Sequence, residues 1–240
     1  MVINNDDSCA PFSLPLFANG QPTLVFVSKN GKIKEKRTSH LTLFGQTIVP
    51  ESLDFEGGFT LIAYFFKPTS LLPLFNVSAH ELTDNPIDLD VLERAYRTDL
   101  EERLLNTELI ADRISLIDSY VCRLISQSRY ESPVIERAVD LIVRNPSKVR
   151  LHKIHNELHL TERTFQRTFE HAVGIAPNMY RRVYQFNAAF QQLNSRSGGR
   201  LVDIAFQHGY ADQSHFNRAF KEFTYLTPKA FLNLGSPDNQ

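Results

Sequence analysis

Two short stretches of the chain carry side chains that can hydrogen-bond to base pairs. In each stretch, polar residues surround two phenylalanines spaced four apart, Phe165 and Phe169 or Phe216 and Phe220. Because residues four apart share one face of a helix, the phenylalanines predict a buried face and the polar residues an outward one. The outward residues are Arg163, Gln166 and Arg167 in the first stretch and Gln213, Ser214, Asn217 and Arg218 in the second.

These outward residues have the chemistry needed to recognise base edges. Arg can donate a bidentate pair of hydrogen bonds to guanine, and Gln or Asn can pair with adenine as donor and acceptor. A helix that is only solvated typically shows Glu and Lys, whereas here Glu162 stands near a helix start, where the helix dipole favours an acid. The pattern predicts DNA recognition. The alternative is a bundle of helical hairpins with polar outer faces.

The two stretches belong to an internal repeat within residues 151–231. Before a turn the copies are offset by 50 residues, so that Leu151 matches Leu201 and Ile154 matches Ile204. After the turn the offset is 51, which one inserted residue in the second turn explains. The later matches are Thr161/Asp212, Phe165/Phe216, Arg167/Arg218, Phe169/Phe220, Ile175/Leu226, Pro177/Pro228 and Tyr180/Phe231.

The residue pattern of each copy predicts a helix-turn-helix unit. A short helix ends at the turn, and Thr161 or Asp212 then caps the second helix by accepting a hydrogen bond from a free backbone N–H. Residues 177–193 predict one continuous helix between the copies, opened by a proline at its first position. Such a helix would hold two recognition helices about 34 Å apart, one turn of DNA. We expect Arg181 and Arg182, in its first turns, to contact phosphates, and residues 195–199 to form a flexible link.

The charges are divided unevenly along the chain. Residues 1–133 hold 12 Lys/Arg and 18 Asp/Glu, a net charge of −6, whereas residues 134–240 hold 14 and 9, a net charge of +5. An acidic half joined to a basic half is typical of a protein with one part that meets a polyanion, although solvated surface alone also explains such charges.

The composition excludes several classes of protein. The apolar content of 42% supports folded cores, and no apolar run is long enough to predict a membrane span. Cys9 and Cys122 are the two cysteines and lie far apart in sequence, so they form neither a disulfide framework nor a metal cluster. The expected location is therefore a reducing cytoplasm.

The first half predicts a small antiparallel β barrel or sandwich. Strands are expected at 23–28, 40–44, 47–49, 52–55 and 59–66, after an extended segment at 1–22. Asn30-Gly31 predicts a two-residue hairpin turn, with 32–36 as the solvated return strand. We expect Phe26, Phe44 and Phe65 to fill the core of this domain.

Helices are expected after residue 68. Helical turns are predicted at 70–82, followed by helices at 90–105 and 107–128, a polar joint at 126–133 and a helix at 134–144 closed by Asn145-Pro146. The helix at 107–128 has an apolar stripe that predicts a face packed on the barrel, with a dimer seam as the alternative. The stripe comprises Leu109, Ile110, Ile114, Ile117, Val121, Leu124 and Ile125.

The C-terminal residues resemble the AraC/XylS family of bacterial transcription regulators. The second copy carries the family signature as Ile204-Ala-Phe-Gln-His-Gly-Tyr-Ala-Asp-Gln-Ser-His-Phe-Asn-Arg-Ala-Phe220, followed by Thr227-Pro228. The first copy matches more loosely, and the resemblance covers residues 134–231. His155 replaces a usual alanine, His159 a usual turn glycine, and Ala176 the usual Ser/Thr cap before Pro177. Because histidine tolerates positive φ better than most residues, the first turn is expected to form, in a somewhat less stable unit.

The resemblance implies an α+β protein that regulates transcription. A sensory or dimerisation domain at 1–128, often a cupin-like barrel in this family, would precede a double helix-turn-helix domain at 129–240. The outward residues named above would contact bases, His215 would lie beside them, and Thr161 would join Arg181 and Arg182 as a phosphate contact. Expected partners are double-stranded DNA and, as candidates, RNA polymerase, a small-molecule effector and a second copy of the chain; no membrane is expected.

Two other classes of function remain as alternatives: a cupin-type enzyme carrying a DNA-binding-like tail, and a protein-interaction adaptor. The sequence lacks the His-x-His and Glu metal ligands of cupin enzymes and any Gly-rich phosphate loop, so neither enzymatic activity nor a metal or other cofactor is expected. His40 and His80, the histidines of the first half, are expected to be ordinary polar residues.

Overall fold

The computed structural model describes residues 1–5, 11–93, 99–128, 133–195 and 199–234. Cys9, part of the joint at 126–133 and part of the link at 195–199 lie outside the described residues. The strands are β1 (Val2–Asn5), β2 (Pro11–Leu16), β3 (Thr23–Val27), β4 (Lys32–Ile33), β5 (Lys36–Arg37), β6 (Leu41–Phe44), β7 (Glu51–Glu56), β8 (Phe59–Phe65) and β9 (Ile87–Asp88). The helices are α1 (Leu71–Phe75), α2 (Leu89–Glu93), α3 (Leu100–Leu105), α4 (Ile110–Gln127), α5 (Pro133–Arg144), α6 (Leu151–Glu157), α7 (Glu162–Val173), α8 (Pro177–Asn194), α9 (Leu201–Gln207), α10 (Gln213–Thr224) and α11 (Pro228–Leu234).

The strands form two antiparallel sheets, with strand orders β1-β8-β3-β6-β9 and β2-β7-β4-β5. In the described residues both sheets are open, so the domain is a sandwich and not a closed barrel. All five residues of the inner strand β3 are buried. Because side chains alternate along a strand, Val25 and Val27 pack in the same core as Phe55 of β7, while Leu24 and Phe26 pack in the core that contains α1, α3 and α4.

The predicted hairpin turn at Asn30-Gly31 was wrong. β4 pairs with β5 and β7, whereas β3 pairs with β6 and β8. The tight turn comes later, at Lys34 and Glu35, whose φ angles of 50° and 64° suit a two-residue hairpin. The buried strand β3 needs apolar neighbours on both sides, so the charged segment that contains β4 and β5 is confined to the edge of the other sheet, where lysines are tolerated.

Other predicted elements differ in extent. The extended segment at 1–22 contains β1 and β2. Residues 47–49 form no strand, because the N–H groups of Ile48 and Val49 bond to Asp84 Oδ1 at 2.6 and 2.9 Å. The single helix expected at 90–105 is not continuous: Asp99 lies outside helix, as the residue before α3, and residues 94–98 lie outside the described part of the chain.

The apolar stripe of α4 packs on the N-terminal core, as predicted. Ile117 and Val121 are buried there, and Ile110, Ile114 and Leu124 pack against the same cluster. Leu109 and Ile125, at the two ends of the stripe, are 66% and 57% exposed. The packed-face interpretation is therefore confirmed for the middle of the stripe.

In the described part of the chain, every helix is too short or too polar to cross a bilayer.

The C-terminal half repeats one packing arrangement. The ring centroids of Phe165 and Phe169 are 5.7 Å apart, and those of Phe216 and Phe220 are 5.8 Å apart. α7 and α10 have 12 residues each and end at left-handed residues, Gly174 (φ 96°) and Tyr225 (φ 60°). α8 runs unbroken between the two units, which confirms the predicted continuous helix.

The β sandwich contacts both the first helical unit and α8. The Gly174 carbonyl accepts a hydrogen bond from Thr83 Oγ1 at 3.1 Å and lies 3.3 Å from His80 Nδ1. The rings of Phe17 and Phe190 meet edge to face at 5.7 Å. His40 Nδ1 lies 2.8 Å from the Val27 carbonyl, so both N-terminal histidines have ordinary polar partners.

Gly174→Ala should destabilise the protein by at least about 1 kcal/mol, because alanine is strained at positive φ. A Cβ here would also lie 2.6 Å from the Ala79 carbonyl oxygen of the sandwich. Urea unfolding measures the loss. Gly199→Ala is the control, since its Cβ would meet only Ile204 Cγ1 at an ordinary 3.7 Å. Equal stabilities of the two variants would contradict this account.

Candidate nucleic-acid interface

The first helix-turn-helix unit consists of α6, a four-residue turn and α7. Thr161 Oγ1 accepts a hydrogen bond from the Thr164 N–H at 3.2 Å, so the predicted cap is present. His159 adopts φ 54°, the left-handed conformation expected where the resemblance places a turn glycine. His155 Nδ1 lies 3.1 Å from the Leu160 carbonyl, which shows how the turn accommodates a histidine in place of alanine.

The second unit, α9 and α10, repeats the same turn with one added residue. Asp212 Oδ1 accepts from the His215 N–H at 2.7 Å, and Gly209 adopts φ 75°. The Tyr210 N–H bonds to the Ala205 carbonyl at 2.9 Å, as Leu160 does to His155 at 2.8 Å in the first unit. The turn spans residues 208–212 instead of 158–161. The step between the two sequence offsets is thus an insertion in this turn.

The predicted base-contacting residues lie mostly on exposed helix faces. On α7 and α10 the exposed ones are Arg163, Gln166, Arg167, Gln213, Ser214, His215 and Arg218. The phenylalanines behind them are buried, which is the division of faces that the spacing predicted. Gln166 Nε2 donates to Glu170 Oε1 at 3.2 Å, and His215 packs edge to face on Tyr210.

Asn217 departs from that division of faces. It is half-buried, and among the described residues its buried Oδ1 has no hydrogen-bond partner. Its amide is therefore less available to a base edge than the guanidinium of its neighbour Arg218, and a base contact by Asn217 stays a prediction.

The two arginines expected to contact phosphates both have protein partners. Arg181 donates to Asn178 Oδ1, to the Pro146 carbonyl at 3.2 Å and to Gln185 Oε1 at 3.1 Å. Burial, and then the positive charge of Arg182, lowers the pKa of the half-buried Arg181 guanidinium.

Arg182 contacts the second unit instead. It forms an ion pair with Glu222 and lies 5.7 Å from the ring centroid of Phe223. The phosphate roles of Arg181, Arg182 and the exposed Thr161 therefore stay predictions. The sequence offered one signal for these contacts, the four-residue spacing of Arg181 and Gln185, and none for the pair of Arg182 with Glu222.

A cavity of about 510 Å³ lies between the two sheets and reaches α8. Phe26 and Phe44 are buried in the cores of this domain as expected, although Phe44 also lines the cavity. Phe65 lines the cavity and is 40% exposed, so its predicted place in the core was wrong. None of the described lining residues has a charged side chain. α8 contributes Asn187, Phe190 and Gln191 to the wall.

A second cavity, of about 440 Å³, shares Leu16, Phe44 and Thr47 with the first. Its other walls are charged and include Lys34, Lys36, Arg37, Glu51, Asp84 and Asp88. Sequence reasoning missed both cavities, because each is bounded by strands that are distant in sequence.

Three carboxylates form an acidic group beside the sandwich. Ligand atoms of Asp88, Asp90 and Glu101 lie within 4.8 Å of one another. Burial, followed by the neighbouring Asp90 charge, raises the pKa of the Glu101 carboxyl. Such surface groups are common without a metal, so this one supports no metal site.

Two domain families match the chain by sequence. A helix-turn-helix domain family matches residues 154–233, and a domain of unknown function (DUF6597) matches residues 1–88. No curated protein matches the chain.

Solved structures of ToxT from Vibrio cholerae have a similar fold. A 1.65 Å structure is 11% identical, with a TM-score of 0.56 over 97% of this chain and 98% of ToxT. A structure with a bound unsaturated fatty acid is 13% identical, with a TM-score of 0.53 over 96% and 94% of the two chains. A third, bound to (E)-4-(8-methylnaphthalen-1-yl)but-3-enoic acid, is 11% identical, with a TM-score of 0.54 over 98% of each chain. At such identities, the likeness shows the fold alone.

The helix-turn-helix match covers both repeated units, and the signature at residues 204–220 forms the second of them. The fold outside these units is also shared along nearly the whole chain. Residues 154–233 therefore form a DNA-binding helix-turn-helix domain of the AraC type, in a chain whose fold resembles that of ToxT along nearly its whole length.

Proposed function

We propose that α7 and α10 enter two adjacent major-groove segments of one DNA duplex and recognise its sequence. One observation carries this proposal: two matching units, each with a capped helix and an exposed edge of Arg and amide or hydroxyl side chains, are joined by one continuous helix. α7 would contact bases through Arg163, Gln166 and Arg167. α10 would do so through Gln213, Ser214, Asn217 and Arg218, with His215 beside them.

Electrostatic attraction supports the same proposal. The net charge of +5 on residues 134–240 favours a polyanion, whereas the net charge of −6 on residues 1–133 does not. Binding should therefore weaken steeply as salt rises, because phosphate contacts release counterions.

The proposed function implies that the protein works in the cytoplasm, where the DNA is. It requires binding and no catalytic step, and contacts with RNA polymerase or a second copy stay predictions.

The larger cavity is the proposed effector site. At about 510 Å³ it lies within the size range of small-molecule pockets, and its walls are mainly apolar. We propose that it takes a predominantly apolar molecule, a class that includes the fatty acid bound in one ToxT structure. Since α8 supplies part of the wall, a bound molecule would touch the helix that joins the two DNA-binding units.

Arg218→Ala should cost about 1–3 kcal/mol of binding energy on the cognate site and relax preference at one base pair, because a bidentate contact to a base is lost. Cognate DNA is selected from a random library, and affinities are then measured for every single-base variant of the site.

The control is Lys221→Ala, an exposed cation three residues further along α10. Any effect of this change should be equal on all sequences, because a Lys contact to phosphate carries no sequence information. If Arg218→Ala also weakened every sequence equally, Arg218 would not be a base contact.

Ala63→Phe should abolish effector binding by filling the larger cavity, whose wall contains the buried Ala63 of β8. Thermal shift with oleic acid and with oleyl alcohol, each below its aggregation concentration, measures binding to the wild type and the variant. Stabilisation by the acid alone would show that the carboxylate contributes to binding.

Ala111→Phe on the exposed face of α4 is the matched control and should bind as the wild type does. If Ala63→Phe still gave the wild-type shift, the ligand would lie elsewhere.

A further inference from the structure

A polar bridge crosses the interior between the two helix-turn-helix units. Gln185, on the middle of α8, is 6% exposed. Its Nε2 donates to the His208 carbonyl at 2.8 Å, and its Oε1 accepts from Arg181 Nη1 at 3.1 Å. The same Arg181 nitrogen donates to the Pro146 carbonyl at 3.2 Å. The bridge therefore runs from the loop before the first unit, through α8, to the turn of the second.

The ends of this bridge also touch directly. A Cβ on Gly209, in the turn of the second unit, would lie 2.8 Å from the Cβ of Ser147, which follows Pro146. The turn of the second unit and the loop before the first unit thus approach so closely that a side chain at position 209 would clash with Ser147. A second pair of bonds fixes the same turn, since Gln192 Oε1 lies 2.6 Å from His208 Nε2 and Gln192 Nε2 donates to Gln207 Oε1 at 2.6 Å.

Carbonyl groups are directional acceptors, and a buried one left unpaired is costly. Rotation of the second unit about α8 would unpair the His208 carbonyl and Gln185 together. The apolar contacts around the bridge constrain this angle less sharply, because the hydrophobic effect depends on the area buried and is not directional.

We infer that Arg181 and Gln185 are positioning residues. They fix the rotational phase of the two recognition helices, that is, the angle between them about the axis of α8. This angle determines the spacing of the DNA subsites that the protein accepts. This inference rests on the proposed DNA binding. It gives Arg181 a structural role between the two units in place of the phosphate contact. One inserted base pair moves a subsite by about 3.4 Å along the duplex and turns it by roughly 35°, so a fixed phase should reject it.

The test compares the selected DNA site with sites that have one base pair inserted or removed between the two subsites. Wild-type full-length protein should favour the native spacing. Gln185→Leu should lower the ratio of native-spacing to shifted-spacing affinity about three- to tenfold, the range expected for one or two lost hydrogen bonds. Arg181→Lys, which keeps one donor group, should lower it less than Arg181→Met. Asn194→Ala, on the exposed end of α8, is the control and should keep the wild-type ratio.

A second measurement needs no DNA. Spin labels at Asn156→Cys on α6 and Lys229→Cys on α11, with Cys9 and Cys122 replaced by serine, report the distance between the units. A narrow distance distribution that broadens in Gln185→Leu, with unchanged circular dichroism, supports the inference. An unchanged distribution overturns it, and so does a wild-type protein that binds all spacings equally. If the wild type bound no DNA, the proposed function would fail, while the label distances would still decide whether the bridge fixes the phase.

Discussion

The structure depends on the burial of α8 on several sides at once. Val183, Phe186 and Ala189 are fully buried and pack with the second unit, while Tyr180 is fully buried with the first. The sandwich covers a further side, where Gly20 packs directly on the Tyr184 ring. Burial of so many apolar side chains supplies most of the stabilisation, since it is roughly proportional to the area removed from water. A helix held by three partners cannot rotate toward one without losing contact with another.

The helical units could be predicted from the sequence because their determinants are local. Caps, turn residues and a four-residue aromatic spacing all lie within about 25 residues of one another, and two copies constrain each other. The repeat even located the inserted turn residue. The repeat could not reveal that Arg181 bonds to Pro146 or that Arg182 pairs with Glu222, because these partners lie 35 and 40 residues away. From the sequence alone, the positions of these two arginines were therefore compatible with a phosphate contact or with a protein contact.

The sandwich was harder to predict, since its strands pair across long stretches of sequence. β1 pairs with β8 and β2 with β7, so residues 2–5 and 11–16 become strands through distant partners. Asn30-Gly31 is a strong local turn signal, but the Asn30 side chain instead donates to the Thr38 carbonyl at 2.6 Å and closes a wider loop. Burial of β3 between β6 and β8 outweighs local turn preference. The cavities follow from this packing, so residue spacing alone could not indicate them.

The arrangement gives the two halves a physical means of influencing each other. The Gly174 carbonyl, which ends the first recognition helix, is bonded by Thr83 of the sandwich, and Ile48 packs against the cores of both helical units. A shift of the sandwich would therefore reach both units, whether or not α8 itself moved. A molecule in the larger cavity would touch β strands and Phe190 together. It can change DNA affinity only through different binding energies in two arrangements of these contacts. The polar bridge would limit those arrangements, because a shift that kept its hydrogen bonds would move the two DNA-binding units together.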